Sequence, residues 1–478
     1  MASRLFHQFI FISALLLLLV KTPVLAQETD TSIRPNVLMI CIDDLNDWVG
    51  CLGGHPHTQT PHIDTLAKRG RLFTNAHCSV TVCSPSRVSL ISGVSPTTSG
   101  SYELGPAYQD IDRLNDVPTM HRWFKDHGYT TLTGGKVLHH GFAGRLAKDI
   151  DVSFGAKKGG PKPKETMEWG AGSWDWGAYP PTDAEMFDYQ NAQATATELR
   201  KSYDKPFFFS IGLFRPHVAM FVPPKWYNLF DPEAISLPHA TKSDMDDIPA
   251  NFQYKMGVAP TFTEIKKKKK WRSLVHAYLA STAFVDHCVG EVMKGLDEGP
   301  NKDNTIVVLW SDHGFHLGEK QHIAKRTLWE ESTRVPLIFA GPGIEPGDCG
   351  EPASLLDIYP TLIAACNLPE NSHLEGLSLS PQLSDPNSAR EQPALSSSYY
   401  GNHAVRNRDW RYIRYADGAE ELYDHRSDPD EFTNLANHPD HREIKKELAQ
   451  WIPESGAPEV KPYESQEQVR AGRTSPTP

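Results

Sequence analysis

The stretch N-V-L-M-I-C-I-D-D, Asn36 to Asp44, is apolar from Val37 to Ile42 and then stops on two adjacent aspartates. It is too short for an ordinary helix and does not alternate, so it reads as a strand buried on both faces. Three more runs share the pattern. Thr305–Trp310 leads into Ser311, Asp312 and His313; Phe207–Leu213 leads to Arg215, Pro216 and His217; Tyr129–Thr133 leads through two glycines to Lys136 and His139. Helical patterns over 63–69, 118–127, 192–201 and 273–296 fall between them. Strands alternating with helices predict a mostly parallel sheet covered by helices, a large α/β domain. Ligands of such sheets bind beyond the carboxyl ends of the strands. Four strands therefore deliver Asp, Asp/His, His and Lys/His to one edge.

A second stretch, T-V-C-S-P-S-R-V-S-L-I-S-G from Thr81 to Gly93, bears on what that edge does. Ser84 suits an N-cap, Pro85 the first helical turn and Gly93 the stop. Cys83 then lies at a helix N-terminus, with Arg87 one turn in. Its neighbours leave two local readings open: a disulfide to Cys78, or a thiolate activated by the electropositive position. The seven cysteines (41, 51, 78, 83, 288, 349 and 366) are odd in number and scattered, like neither a disulfide framework nor a zinc site.

The chain begins with a basic Met1–Arg4, a short apolar run from Phe9 to Val20, and Val24-Leu25-Ala26. This is the pattern of a cleavable secretory leader, and the run falls short of the ~20 residues that span a bilayer. Residues 1–26 are expected to be removed. No Asn-x-Ser/Thr sequon is present, which points to a bacterial periplasm or exterior. The net charge of −11 excludes a general nucleic-acid binder, so an anionic substrate would need a local basic pocket. The Lys266–Lys270 run reads as a solvated loop or helix start. After Pro381 the pattern becomes that of a small antiparallel sheet between Tyr399 and Tyr423, with a closing helix near 441–451. The expected division is a catalytic domain over 27–385, a small α+β C-terminal subdomain over 386–462, and a polar, disordered tail over 463–478.

C-S-P-S-R followed by V-S-L-I-S-G resembles the type I sulfatase motif, with Ile91 and Ser92 in place of the usual Leu and Thr. The resemblance continues in family order through "RPNVLMICIDDLNDWVGCLGG", "TPHIDTLAKRGRLFTNAHC", "GGKVLHHG", "LFRPH", "LWSDHGFHLGEKQHIAKRTLWEESTRVPLIFAGPG", "SLLDIYPTLIAACNLP" and "ELYDHRSDPDEFTNLA", most of Arg34 to Ala436. "GKVLHHG", "RPH" and an Asp-His pair at 312–313 look most like iduronate-2-sulfatase-like enzymes. The resemblance implies an alkaline-phosphatase/sulfatase-like fold and a sulfuric ester hydrolase. It implies that Cys83 is converted by a formylglycine-generating maturation enzyme to 3-oxoalanine, whose hydrated aldehyde is the nucleophile. It also implies one Ca²⁺ held by Asp43, Asp44, Asp312, His313 and the modified residue 83, with Arg87 holding the hydrate. Lys136, His217 and Lys325 would contact the sulfate. His139 would be the base for its release, and His217 rather than Lys325 the acid for the leaving alcohol. The implied substrate is a sulfated sugar or polysaccharide fragment, such as a 2-O-sulfated uronic acid.

Elementary chemistry runs the same way. Three carboxylates at strand ends are hard oxygen donors that repel one another without a cation, and a sulfate ester accepts a nucleophile only once its charge is screened. Two other readings stay open: a phosphomonoesterase or phosphodiesterase of the alkaline-phosphatase superfamily, which typically uses two metals and a Ser or Thr nucleophile, and a catalytically silent glycan-binding protein with an unmodified Cys83. The three tryptophans of Glu168–Trp176 suit a sugar platform or a packed core equally well.

Overall fold

The computed structural model describes residues 34–156, 158–170, 174–249 and 260–461. The expected leader and the polar tail from 463 lie outside them. Eight strands form the main sheet: β1 (Asn36–Ile42), β2 (Arg71–Phe73), β3 (Thr130–Gly135), β4 (Val152–Phe154), β5 (Phe207–Leu213), β6 (Thr305–Ser311), β7 (Leu337–Ala340) and β8 (Gly347–Cys349). Their order across the sheet is β8-β2-β7-β6-β1-β5-β3-β4. Only β7 runs antiparallel to its neighbours, β2 and β6.

Both faces of β1 are buried, as an unbroken apolar run requires. Leu38, Ile40 and Ile42 pack into one core, and Val37, Met39 and Cys41 into the other. The first core is covered by α1 (Pro61–Lys68), α4 (Phe187–Leu199) and α5 (Trp271–Asp297); the second by α2 (Cys83–Ser92), α3 (Met120–Asp126) and α6 (Ile358–Ala365). The observed helices extend or trim the sequence expectations by a few residues. α4 differs most: it begins at Phe187, five residues before its apolar pattern becomes visible. No helix of the described residues is long and apolar enough to cross a membrane.

A four-stranded antiparallel meander follows: β9 (Ala394–Ser397), β10 (His403–Arg406), β11 (Trp410–Arg414) and β12 (Glu420–Asp424), with α7 (Arg442–Ala449) packed on Val405, Trp410, Tyr412 and Leu422. Its first strand runs beside the segment leading into α2. Ser397 N donates to Ser79 O at 2.8 Å, Thr81 N to Ser397 O at 3.2 Å, and Ser396 Oγ to Cys78 O at 2.6 Å. The small sheet thus braces the approach to Cys83.

Several histidines are locked inside as neutral rings. His121, on α3, bonds Ser210 Oγ at 2.6 Å between the rings of Phe142 and Phe208. Burial pushes its pKa down to about 3. Between pH 6.5 and 3 the unfolded chain binds a proton there that the folded chain refuses. Stability is therefore complete above pH 6.5 and falls as the pH drops, by about 2 kcal/mol at pH 5 for this ring alone. Urea unfolding at pH 7 and pH 5 should show the loss, and His121→Phe should make the slope shallower.

Candidate active site

Register brings the strand ends together. Ile42 lies beside Ser311 of β6 and Leu213 of β5, and Gly212 beside Gly135 of β3. The residues that follow each strand therefore emerge as a cluster: Asp43 and Asp44, Asp312 and His313, Lys136, and the turn to His217. Gly135 is required in this arrangement. It adopts φ +63° with the carbonyl of Gly212 2.1 Å from where a Cβ would stand. Lys136 N then donates to that carbonyl at 3.0 Å, which turns its side chain inward.

Cys83 begins α2, two residues earlier than the sequence reading placed the start. Val82 occupies the N-cap position, and no side chain caps the helix, so Ser84 is not the cap. The whole of α2 is buried, and burial rather than capping holds it. All seven cysteines are free, which removes the Cys78–Cys83 disulfide. Cys83 Sγ lies 3.1 Å from Lys325 Nζ, 3.2 Å from His313 Nε2 and 3.7 Å from Asp44 Oδ1. Burial alone would raise the thiol's pKa, but Lys325, Lys136 and His313 overcome it and hold the group far below its usual range. His139 also helps to lower the pKa of this thiol, and burial lowers its own.

Arg87, which the resemblance assigns to the hydrate at position 83, is bonded to the aspartates in this structure. Its guanidinium is fully buried and spans the carboxylates, with Nη2 to Asp43 Oδ1 at 2.9 Å and Nε to Asp312 Oδ2 at 2.8 Å. Nη1 donates to Lys136 O at 2.6 Å and lies 2.9 Å from Cys41 Sγ. The fork geometry of arginine makes this possible, since one planar group serves two acids at once. Lys136 pairs with Asp43, and Lys325 Nζ with Asp44 Oδ1 at 2.6 Å. Burial would raise the pKa of Asp43, but Lys136, His217 and Arg87 drive it well below the carboxylate range. For Asp312 burial wins, and its pKa stands at about 6 despite Arg87 and His313.

At this site two sets of ligand atoms lie mutually within 4.8 Å: Asp43, Asp44, Cys83 and His217; and Cys83, Asp312 and His313. Asp44 Oδ2 is buried and accepts no hydrogen bond among the described residues, with His217 Nε2 3.9 Å away. His313 Nδ1 lies 2.9 Å from Gly314 O, which can only accept, so its proton is there and Nε2 faces the cluster. An unpartnered carboxylate oxygen among hard donors fits a divalent cation of the calcium or magnesium kind.

All the sequence-derived candidates thus meet in one place. Two supporting residues escaped the sequence reading. Tyr278, in the middle of α5, donates its hydroxyl to Asp44 O at 2.8 Å and lies 3.0 Å from Asn46 Oδ1; Cys41 sits under Arg87. Neither carries a local signal, since each looks like one more core position. The tryptophan stretch resolves toward packing: Trp174 and Trp176 are core residues, and Asp175 gathers the N–H groups of Met167, Glu168, Trp169 and Trp176. Of the lysine run, Lys270 pairs with Glu168 and Lys266 with Gln321, while Lys267, Lys268 and Lys269 are exposed.

A mostly parallel sheet with cations and carboxylates interleaved at its carboxyl edge is the alkaline-phosphatase-like architecture, and a site so charged suits the hydrolysis of an anionic ester. The profile of the family described as Sulfatase matches residues 35–368, and that of the N-sulphoglucosamine sulphohydrolase C-terminal region matches 318–456. A sulfatase from Formosa agariphila is 36% identical over 84% of this chain and 83% of its own. The iduronate 2-sulfatase of Mus musculus is 30% identical over 66% of this chain and 61% of its own. The solved structure of a 2-O GAG sulfatase superposes with a TM-score of 0.67 at 25% identity, covering 92% of this chain and 94% of that one. The chain belongs to the sulfatase family and is a sulfuric ester hydrolase.

Proposed function

We propose that this sulfatase is an exported enzyme that removes sulfate from a sugar of a sulfated polysaccharide, a 2-O-sulfated uronic acid being the favoured unit. It would use formylglycine made from Cys83 by a maturation enzyme, and one calcium ion. The observation that carries the reading is the environment of position 83, a single buried side chain between Lys325, His313 and Asp44. That the glycosaminoglycan sulfatase and the iduronate sulfatase above are relatives supports the sugar class. The rival phosphatase readings expect a Ser or Thr here and a second metal.

Asp43, Asp44, Asp312, His313 and residue 83 would hold the cation, and the unpartnered Asp44 Oδ2 gives it an acceptor to claim. When bound, the cation would lower the charge on the sulfate oxygens and favour an ionised hydroxyl at position 83. The aldehyde hydrate formed from Cys83 would supply two hydroxyls, one as the nucleophile toward sulfur and one whose deprotonation would let the product go. The chain's own residues do the rest. Arg87 fixes Asp43 and Asp312 so that the carboxylates stay ionised and aimed. Lys136 and Lys325, paired to aspartates here, would turn to sulfate oxygens once a cation satisfies those acids. His139, beside residue 83, takes the proton that lets sulfate go. His217 donates a proton from Nε2 to the departing sugar oxygen, its Nδ1 lying 2.5 Å from Val218 O. A catalytic part up to about residue 385, followed by a small C-terminal subdomain, is the division we adopt.

Purified enzyme from a host that matures such cysteines, screened on defined sulfated oligosaccharides, should release sulfate from a uronic-acid-containing unit. EGTA should abolish the activity and added calcium restore it. Undiminished turnover after exhaustive chelation would overturn the calcium assignment, and a Cys83 peptide that fails to react with a carbonyl-specific label would overturn the formylglycine one.

A further inference from the structure

We infer that Asp188 and Arg215 are positioning residues that aim His217 at the leaving oxygen; the inference rests on the acid role proposed above for His217. The turn after β5 must carry the chain from Leu213 at the sheet edge to an imidazole that faces Asp44. Nothing regular holds it, since it lies between β5 and the short strand at Met220–Val222.

What holds it is a buried carboxylate. Asp188, on the first turn of α4 and without solvent exposure, accepts Phe214 N at 2.8 Å on one oxygen and Arg215 N at 3.0 Å on the other. Both oxygens are thus engaged by consecutive backbone N–H groups, which fixes the plane of the turn as one hydrogen bond could not. Asp188 N in turn donates to Gly159 O at 3.2 Å. Arg215, 2% exposed, then folds back over the turn: Nη1 donates to His217 O at 3.1 Å and Nε to Phe221 O at 3.0 Å. Its guanidinium lies against Gly159, 2.5 Å from where a Cβ would stand there, so no larger residue would leave it in place.

The backbone on both sides of His217 is therefore tied, at 214–215 by Asp188 and at 217 and 221 by Arg215. His217 N closes the turn on Phe214 O at 3.0 Å, and the ring packs on Phe214 at 4.6 Å. A buried carboxyl group and a buried guanidinium, each bonded to backbone, are an expensive way to hold a turn, because both groups must leave water. Hydrophobic residues would hold it more cheaply but would not fix the direction of the histidine. Charged groups supporting a residue that meets substrate are the usual second layer of a precise site.

The test separates aiming from mere folding by the leaving group. A proton donor matters for a sugar hydroxyl and hardly at all for a phenol, which leaves as its anion. Asp188→Asn keeps size and shape but replaces one acceptor by an N–H that opposes the backbone donor. Across sulfate esters from sugar to phenol leaving groups, Asp188→Asn should lose about tenfold or more in kcat at the sugar end and about twofold or less at the phenol end, with KM unchanged. Arg215→Lys, which keeps the charge but not the fork, is measured alongside with the same expectation and serves if the first variant does not fold. Equal losses at both ends, or no loss at either, would overturn the inference. His217→Ala is the control for the reading beneath it. If that variant shows no leaving-group dependence, the acid assignment fails; if it does and the two supporting variants do not, only the positioning role fails.

Discussion

Cys83→Ser is expected to release one equivalent of sugar alcohol per enzyme and then stop. Serine keeps an oxygen where the nucleophile belongs, beside Lys325 and His313, so attack on sulfur remains feasible. Its single hydroxyl then carries the sulfuryl group with no second hydroxyl to expel it, and the ester survives in a site built to protect it from water. Steady-state turnover should fall on the order of 10⁵-fold or more, as when a nucleophile is removed. A burst experiment reads the single equivalent of alcohol, and the intact mass gains one SO₃. Cys83→Ala should show neither burst nor mass change. Continued turnover by the serine variant would mean that release does not depend on the second hydroxyl.

Arg87→Leu is the second large effect, and it should register first in stability. The fully buried side chain touches Asp43 and Asp312 and three further acceptors. Leucine roughly fills the volume but leaves Asp312 without its guanidinium and Asp43 with Lys136 alone, and breaking such a buried pair costs about 3–5 kcal/mol. Urea unfolding in EGTA measures the loss, and calcium should narrow the gap between variant and parent because it compensates the same acids. Activity should also drop by about 10² or more even with calcium present, because the carboxylates lose their fixed orientation. A leucine variant as stable as the parent in EGTA would show that Lys136 and Lys325 suffice to neutralise the cluster.

Much of this was readable from residue order. Asn36–Asp44 announces its strand because a residue buried on both faces must be apolar at every position, and its two aspartates announce the edge because charge cannot continue into the core. The same logic exposed Asp312, His313, Lys136 and His217. The start of α2 was misplaced by two residues because capping preferences apply to helix ends that meet water, and this end is buried.

The sequence alone marked four adjacent strands of the sheet, the edge at which they act and the residues that end them, because burial and strand period act locally and leave their mark on neighbouring residues; Lys325 was named by the family resemblance. Tertiary structure alone decided which charges pair: Arg87 with Asp43 and Asp312 rather than with Cys83, Tyr278 beneath Asp44, and Asp188 under the turn to His217. Such partners lie tens to hundreds of positions apart. Electrostatic and hydrogen-bond energies depend on separations of a few ångströms, which only the packing of the elements fixes.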